Sequence, residues 1–120
     1  MNALQLAKTA YSPVAAPLRT AQCTEYEAFV KVTTALRSAR NPAEMARAVY
    51  ENRRLWGLLA ADVAGDGNRL PGALRARIFY LSEFTSHHSR KVLAGDATAD
   101  VLVDINSAVM AGLRQQRSAG

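Results

Sequence analysis

The sequence is poor in cysteine, with Cys23 alone among 120 residues. A single cysteine can form neither an intrachain disulfide nor a CxxC metal or redox motif. At this length about two-thirds of the unfolded chain's surface can be buried in one domain, so the fold needs no such cross-link. We therefore predict a single domain with a hydrophobic core in a reducing compartment.

Long apolar runs are also lacking. The longest, residues 55–61, has seven residues, whereas a membrane-spanning helix needs about 20. The first basic residue is Lys8, and the stretch after it is broken by Pro13 and Pro17, which is unlike a secretory signal. The sequence accordingly predicts a cytoplasmic protein with no membrane segment.

Residue patterns for catalysis or metal binding are scarce. The two histidines, His87 and His88, are adjacent, and neighbouring residues on a helix point about 100° apart, so they cannot grip one metal together. Residues 66–68 (DGN) look like part of a calcium loop but lack its alternating oxygen ligands and final glutamate, so they read as a turn. No nucleophile elbow or phosphate loop occurs. We predict no catalytic residues, no metal and no cofactor, and hence not an enzyme.

The charge balance leaves two interpretations open. Fifteen basic against ten acidic residues give a net charge of +5, which allows attraction to nucleic acid or to an acidic protein. The basic residues are scattered and interleaved with Glu44, Glu51 and Glu83, and no basic run of five to eight residues appears. An ordinary solvated helical surface explains the same pattern.

Four segments have the hydrophobic periodicity of amphipathic helices. The first starts near residue 24. Asn41 and Pro42 begin the second, with Glu44 able to reach back to the cap; Pro71 opens the third, and Thr98 is the predicted cap of the fourth. The glycines at 65 and 95 suit the left-handed conformation that follows a helix. The predicted core-facing positions are Tyr26, Phe29, Val30, Thr33 and Leu36; Met45, Val49, Asn52, Trp56, Leu59 and Val63; Leu74, Ile78, Tyr80, Leu81, Phe84, Thr85, His88 and Val92; and Leu102, Ile105, Val109 and Leu113.

These segments predict an all-α fold, a compact bundle of about four helices. Short loops between helices favour antiparallel neighbours. Residues 1–20, which contain two prolines and many small residues, are expected to form a flexible N-terminal arm. Residues 21–116 would form the single helical domain and residues 117–120 a polar tail.

Several residues on these seams are candidates for special roles. Trp56, in the middle of the second seam, is the predicted core anchor. The polar residues on otherwise apolar seams are expected to be at least partly buried, hydrogen-bonded and able to fix helix register; alternatively they line an open groove that meets a partner. They are Asn52, His88 and Asn106.

Partner-binding candidates lie on the fourth helix. Val103 and Met110 flank its main seam, and methionine surfaces adapt to apolar partners. With Arg114 they form the predicted partner-binding set. Val103 and Met110 are equally explained as extensions of the core.

The order and spacing of several short motifs resemble the FlaF flagellar biosynthesis proteins over about residues 20–113. The arm before residue 20 matches that family poorly. The motifs are NRRLW (52–56), LAAD (59–62), NRLP (68–71), VLAG (92–95), LVDIN (102–106) and MAGL (110–113).

The resemblance implies a cytoplasmic helper of flagellum assembly, needed for flagellin production or export and acting in alphaproteobacteria alongside the regulator FlbT. Flagellin has long amphipathic terminal helices that must stay unassembled before export, and a helical partner can shield them. We therefore predict a flagellin-binding chaperone or adaptor. The alternative is a post-transcriptional regulator that acts on flagellin mRNA directly or with FlbT; the aromatic content of 7% provides few stacking platforms for RNA bases.

Overall fold

The computed structural model describes residues 16–65, 67 and 71–119. They form four helices: α1 (Ala16–Ser38), α2 (Pro42–Ala64), α3 (Gly72–Leu93) and α4 (Asp100–Ala119). No strand occurs in this part of the chain, so the predicted all-α bundle of four helices is confirmed. None of the described helices is long and apolar enough to cross a membrane.

Both ends of the bundle extend further than the predicted domain. Helix α1 begins at Ala16, not near residue 24, so residues 16–20 of the predicted arm are helical. Pro17 is tolerated because the first turn of a helix does not use its backbone N–H groups. The rest of the predicted arm, residues 1–15, lies outside the described residues. At the other end α4 continues to Ala119, through most of the predicted tail.

The start of α2 follows the predicted capping pattern. Asn41 has an extended backbone and its side chain accepts a hydrogen bond from the backbone N–H of Glu44, at 2.8 Å. The Glu44 carboxylate accepts in turn from the backbone N–H of Arg40, also at 2.8 Å. This bond reaches one residue before the cap, so the arrangement is a shifted form of the expected capping box.

The two glycines at helix ends differ. Gly95 has φ of +81°, its N–H donates to Val92 O at 3.1 Å, and the N–H of Asp96 donates to Lys91 O at 2.9 Å, which together form a Schellman motif. Gly65 is extended instead, with φ −70° and ψ 149°. The prediction of a left-handed conformation at Gly65 is therefore wrong, and the chain leaves α2 in an extended conformation.

Neighbouring helices are antiparallel. Phe29 packs in the same cluster as Trp56, whereas Leu36, further along α1, packs with Val49, which comes earlier in α2. Helix α2 packs against α1 and α3, and α4 packs mainly against α1, meeting α3 over a few residues only. Helices α2 and α4 are thus diagonal to each other across the bundle.

The core consists of two apolar clusters, one towards each end of the bundle. The Trp56 cluster consists of Phe29, Trp56, Leu59, Val63, Ile78 and Val109. The Leu102 cluster consists of Leu36, Ala48, Val49, Ala99 and Leu102. In the Trp56 cluster the rings of Phe29 and Trp56 meet edge to face with centroids 5.7 Å apart, a favourable aromatic geometry.

Two residues assigned to the seams are not in the core. Val30 is 40% exposed and Tyr80 is 67% exposed. Val30 lies about 100° around the helix from the buried Phe29, and Tyr80 about 200° from the buried Ile78. Val32 takes the buried position on α1 instead.

A layer of buried polar residues separates the two apolar clusters along every helix. On α1, for example, Thr33 lies between Phe29 and Leu36, which belong to different clusters. All members of this layer are at most 1% exposed. We call it the polar layer; its members are Thr33, Asn52, Thr85, Ser89 and Asn106.

Candidate partner-binding groove

The polar layer contains a hydrogen-bonded chain that joins the diagonal helices α2 and α4. The side-chain amide of Asn106 donates to Asn52 Oδ1 at 2.7 Å, and the indole N–H of Trp56 donates to Asn106 Oδ1 at 3.0 Å. Both asparagines are fully buried, as their position on the seams predicts. Hydrogen bonds in so dry a site are electrostatically strong, so this chain opposes any slip of α4 along α2.

His88 does not join this chain. It is half-buried, its ring stacks on Phe84 with centroids 5.8 Å apart, and its Nε2 lies 3.0 Å from the backbone oxygen of Thr98. His88 therefore ties α3 to the loop that leads into α4. The three polar residues selected from the sequence occupy two separate places, not one.

The polar layer is only partly satisfied. Three of its polar atoms have no hydrogen-bond partner among the described residues: Asn52 Nδ2, Thr33 Oγ1 and Thr85 Oγ1. A buried polar atom without a partner costs about 1–3 kcal/mol. The layer thus costs stability while it gives the bundle a defined register.

An open groove lies next to the polar layer, on the outer side of α2 and α3. It has a volume of about 500 Å³, within the range of sites that take ligand or partner groups. We call it the α2/α3 groove, lined by Tyr50, Arg53, Arg54, Trp56, Gly57, Ser82, Glu83, Thr85 and Ser86.

Small groups form the floor of the groove. Gly57 is exposed in the middle of α2, and a Cβ atom added there would meet nothing within 4 Å. Opposite it on α3, the Ser82 hydroxyl donates to the backbone oxygen of Trp56 at 3.3 Å. The groove is therefore open because its floor lacks bulky side chains.

The groove contains charges of both signs, and one of its cations has no ionic partner among the described residues. The half-buried Arg53 donates from Nη2 to the Ser86 hydroxyl at 3.3 Å, and among the described residues no carboxylate forms an ion pair with it. Arg54 differs, since it lies 3.9 Å from the Glu51 carboxylate. A guanidinium has five N–H donors in a fork that suits carboxylates, and Arg53 uses one of them within the described residues.

Exposed apolar side chains lie on α3 before and after the segment that lines the groove. Phe79, 45% exposed, is one turn before Ser82 on α3, and Leu93, 50% exposed, is two turns after Ser86. Tyr50, 64% exposed, lines the groove from α2. The surface is thus apolar at its ends and cationic near its middle.

The partner-binding set predicted on α4 lies elsewhere. Val103 and Met110 are half-buried and pack against the Leu102 and Trp56 clusters respectively, while Arg114 is exposed. The structure therefore favours the alternative that Val103 and Met110 extend the core. Val103 also lines a second cavity, of about 550 Å³, where the end of α1 meets the loop before α4.

Five residues that line the groove were not among the candidates predicted from the sequence: Tyr50, Arg53, Gly57, Ser82 and Ser86. One signal was available, because a glycine inside an otherwise regular helix costs stability and often marks a close approach of another group. Within the part of the chain that the structure describes, no three His, Cys, Asp or Glu side chains cluster in a way that could hold a metal ion.

The described residues thus define a small all-α bundle with an open groove between two of its helices. The family model for flagellar protein FlaF matches residues 7–113. The chain therefore belongs to the FlaF family, and this implies a role in flagellar biosynthesis. The match begins at residue 7, so the likeness to the family extends further towards the N-terminus than the predicted residues 20–113. No curated protein and no solved structure matches the chain.

Proposed function

We propose that this protein is a cytoplasmic helper of flagellum assembly that binds flagellin and supports its production or export, as a chaperone or adaptor. The observation that carries the proposal is the open α2/α3 groove in a member of the flagellar FlaF family. The helices of the bundle bury the Trp56 and Leu102 clusters, whereas side chains of both α2 and α3 remain exposed at the groove.

Helix recognition supports this choice of partner. An amphipathic helix binds by laying its apolar face into a groove with anchors about one turn apart, and flagellin has long amphipathic terminal helices. Occupying those helices before export would prevent premature assembly. FlbT, the regulator that accompanies the family, is a further proposed partner.

The competing proposal is action on flagellin mRNA, directly or with FlbT, and it draws on the net charge of +5. The groove favours protein over RNA, because Glu83 lines it and Glu51 neutralises part of the charge of Arg54. A phosphate backbone is bound by several cations along its path, whereas a single carboxylate needs only one guanidinium, such as that of Arg53.

Binding measured across a salt series separates the two functions. The purified protein is titrated with flagellin monomer and, separately, with flagellin leader RNA, each with and without FlbT. A flagellin complex whose affinity changes little between roughly 50 and 200 mM salt is expected, since RNA binding through phosphates would weaken by orders of magnitude over that range. RNA binding whose affinity falls steeply with salt, together with an absence of flagellin binding, contradicts the proposal.

A further inference from the structure

We propose that the α2/α3 groove docks a partner helix that carries apolar side chains about two turns before and after a carboxylate, with the carboxylate on Arg53 and the apolar side chains towards the two ends of the groove. This inference rests on the proposed function and names the site and the chemistry of the partner.

Gly57 provides the room for close approach. Glycine inside a helix is destabilising relative to alanine, and no contact within the bundle requires it, since a Cβ atom there would meet nothing within 4 Å. Ser82 and Ser86 face the groove from α3 one turn apart, and both are small. A helix backbone can therefore lie close to the floor between α2 and α3.

Arg53 specifies the charge of the partner. Its guanidinium is half-buried and is held towards the groove by a neutral hydroxyl, that of Ser86. Among the described residues it has no ionic partner, whereas Arg54 has Glu51. A carboxylate is the group that the remaining N–H donors of Arg53 bind best, because the charged bond is strong and the fork geometry matches.

The apolar ends set the length and the spacing of the partner. Phe79 and Leu93 are fourteen residues apart on α3, or about 21 Å at 1.5 Å per residue, and they project at similar angles around the helix, as do Ser82 and Ser86. This length fits about four turns of a docked helix. Tyr50 on α2 closes the Leu93 end from the opposite wall, since Arg53 pairs with Ser86 and the two helices are antiparallel.

The test compares flagellin binding by groove variants and by matched controls. Gly57→Leu fills the floor, and Gly57→Ala fills it less; Arg53→Gln removes the charge but keeps a polar side chain beside Ser86. Thr34→Leu places the same leucine side chain at an exposed position of α1, and Arg47→Gln removes the same charge from an exposed position of α2. Circular dichroism and melting temperature verify that each variant is folded.

With flagellin monomer as the probe, Gly57→Leu and Arg53→Gln should each raise Kd about tenfold or more, the size typical of losing one central contact. Gly57→Ala should have a smaller effect in the same direction, and both controls should match the wild type. Equal loss on Arg53→Gln and Arg47→Gln would mean general charge attraction and would overturn the site.

The failures of the site and of the function are distinguishable. Wild-type affinity in folded Gly57→Leu, Gly57→Ala and Arg53→Gln proteins, with flagellin still bound, overturns the groove assignment and leaves the proposed function intact. No binding of flagellin by the wild-type protein overturns the proposed function, and the groove assignment falls with it.

Discussion

The polar layer and the α2/α3 groove are adjacent regions that share Thr85, yet one is closed and the other is open. Asn52 and Arg53 are consecutive in α2, so their side chains project about 100° apart. Asn52 points into the centre of the bundle and is fully buried, whereas Arg53 lines the groove and is half-buried. Trp56 separates the two regions, with its indole bonded to the layer and its backbone oxygen bonded to Ser82 in the groove.

This difference shows how a single helix can support both folding and binding. The layer lies where all four helices meet, so every polar atom there must find an internal partner or cost stability. The groove lies where only α2 and α3 meet, so its polar groups can bond to water or to another molecule. Substitutions in the layer should therefore change stability, and those in the groove should change binding.

Trp56→Ala should have the largest effect, because the indole fills the Trp56 cluster and anchors Asn106. Truncating a buried tryptophan costs about 3–5 kcal/mol of unfolding free energy, measurable by chemical denaturation. A loss of unfolding free energy as small as that at an exposed residue would mean that Trp56 does not join the layer to the groove.

Asn106→Leu should have the second largest effect. It removes the partner of the Trp56 N–H and of Asn52 Oδ1, leaving two buried groups unsatisfied, at a total cost of about 2–4 kcal/mol. The exposed Asp104→Leu on the same helix is the control. Unchanged stability of Asn106→Leu would refute a structural role for the layer.

Thr85→Val should act in the opposite direction. The Thr85 hydroxyl is buried without a partner among the described residues, and valine has nearly the same shape without the polar atom. We expect a gain in unfolding free energy of up to about 1 kcal/mol. A clear loss would show that the hydroxyl has a partner, such as a buried water, and that the layer is fully satisfied.

Gly57→Ala should also have a small effect on stability, a gain of about 0.5–1 kcal/mol, since alanine is the better helix former and the added methyl group has open space. The rise in melting temperature should accompany weaker flagellin binding. Lower stability would indicate that Gly57 serves the fold and would remove the contrast between groove and layer.

Much of the architecture was determined by the sequence alone, because helix periodicity and end signals are local. The Asn41 cap and the Gly95 stop act within a few residues, and the seams that contain Trp56, Asn52 and Asn106 follow from 3.6 residues per turn. Their burial could be foreseen for that reason. The start of α1 could not, since the proline at 17 indicates irregular structure by composition but is permitted in a first turn.

Only the tertiary structure decided which faces remain open. Periodicity gives the direction of a side chain from its own helix axis but not the identity or distance of the neighbouring helix. Val103 and Met110 flank a seam in the sequence, yet α4 packs so that both contribute to the core. The groove arises from two antiparallel helices that place Gly57 and Arg53 opposite Ser82 and Ser86. Such a site belongs to a pair of helices, and its residues become neighbours only when the chain has folded.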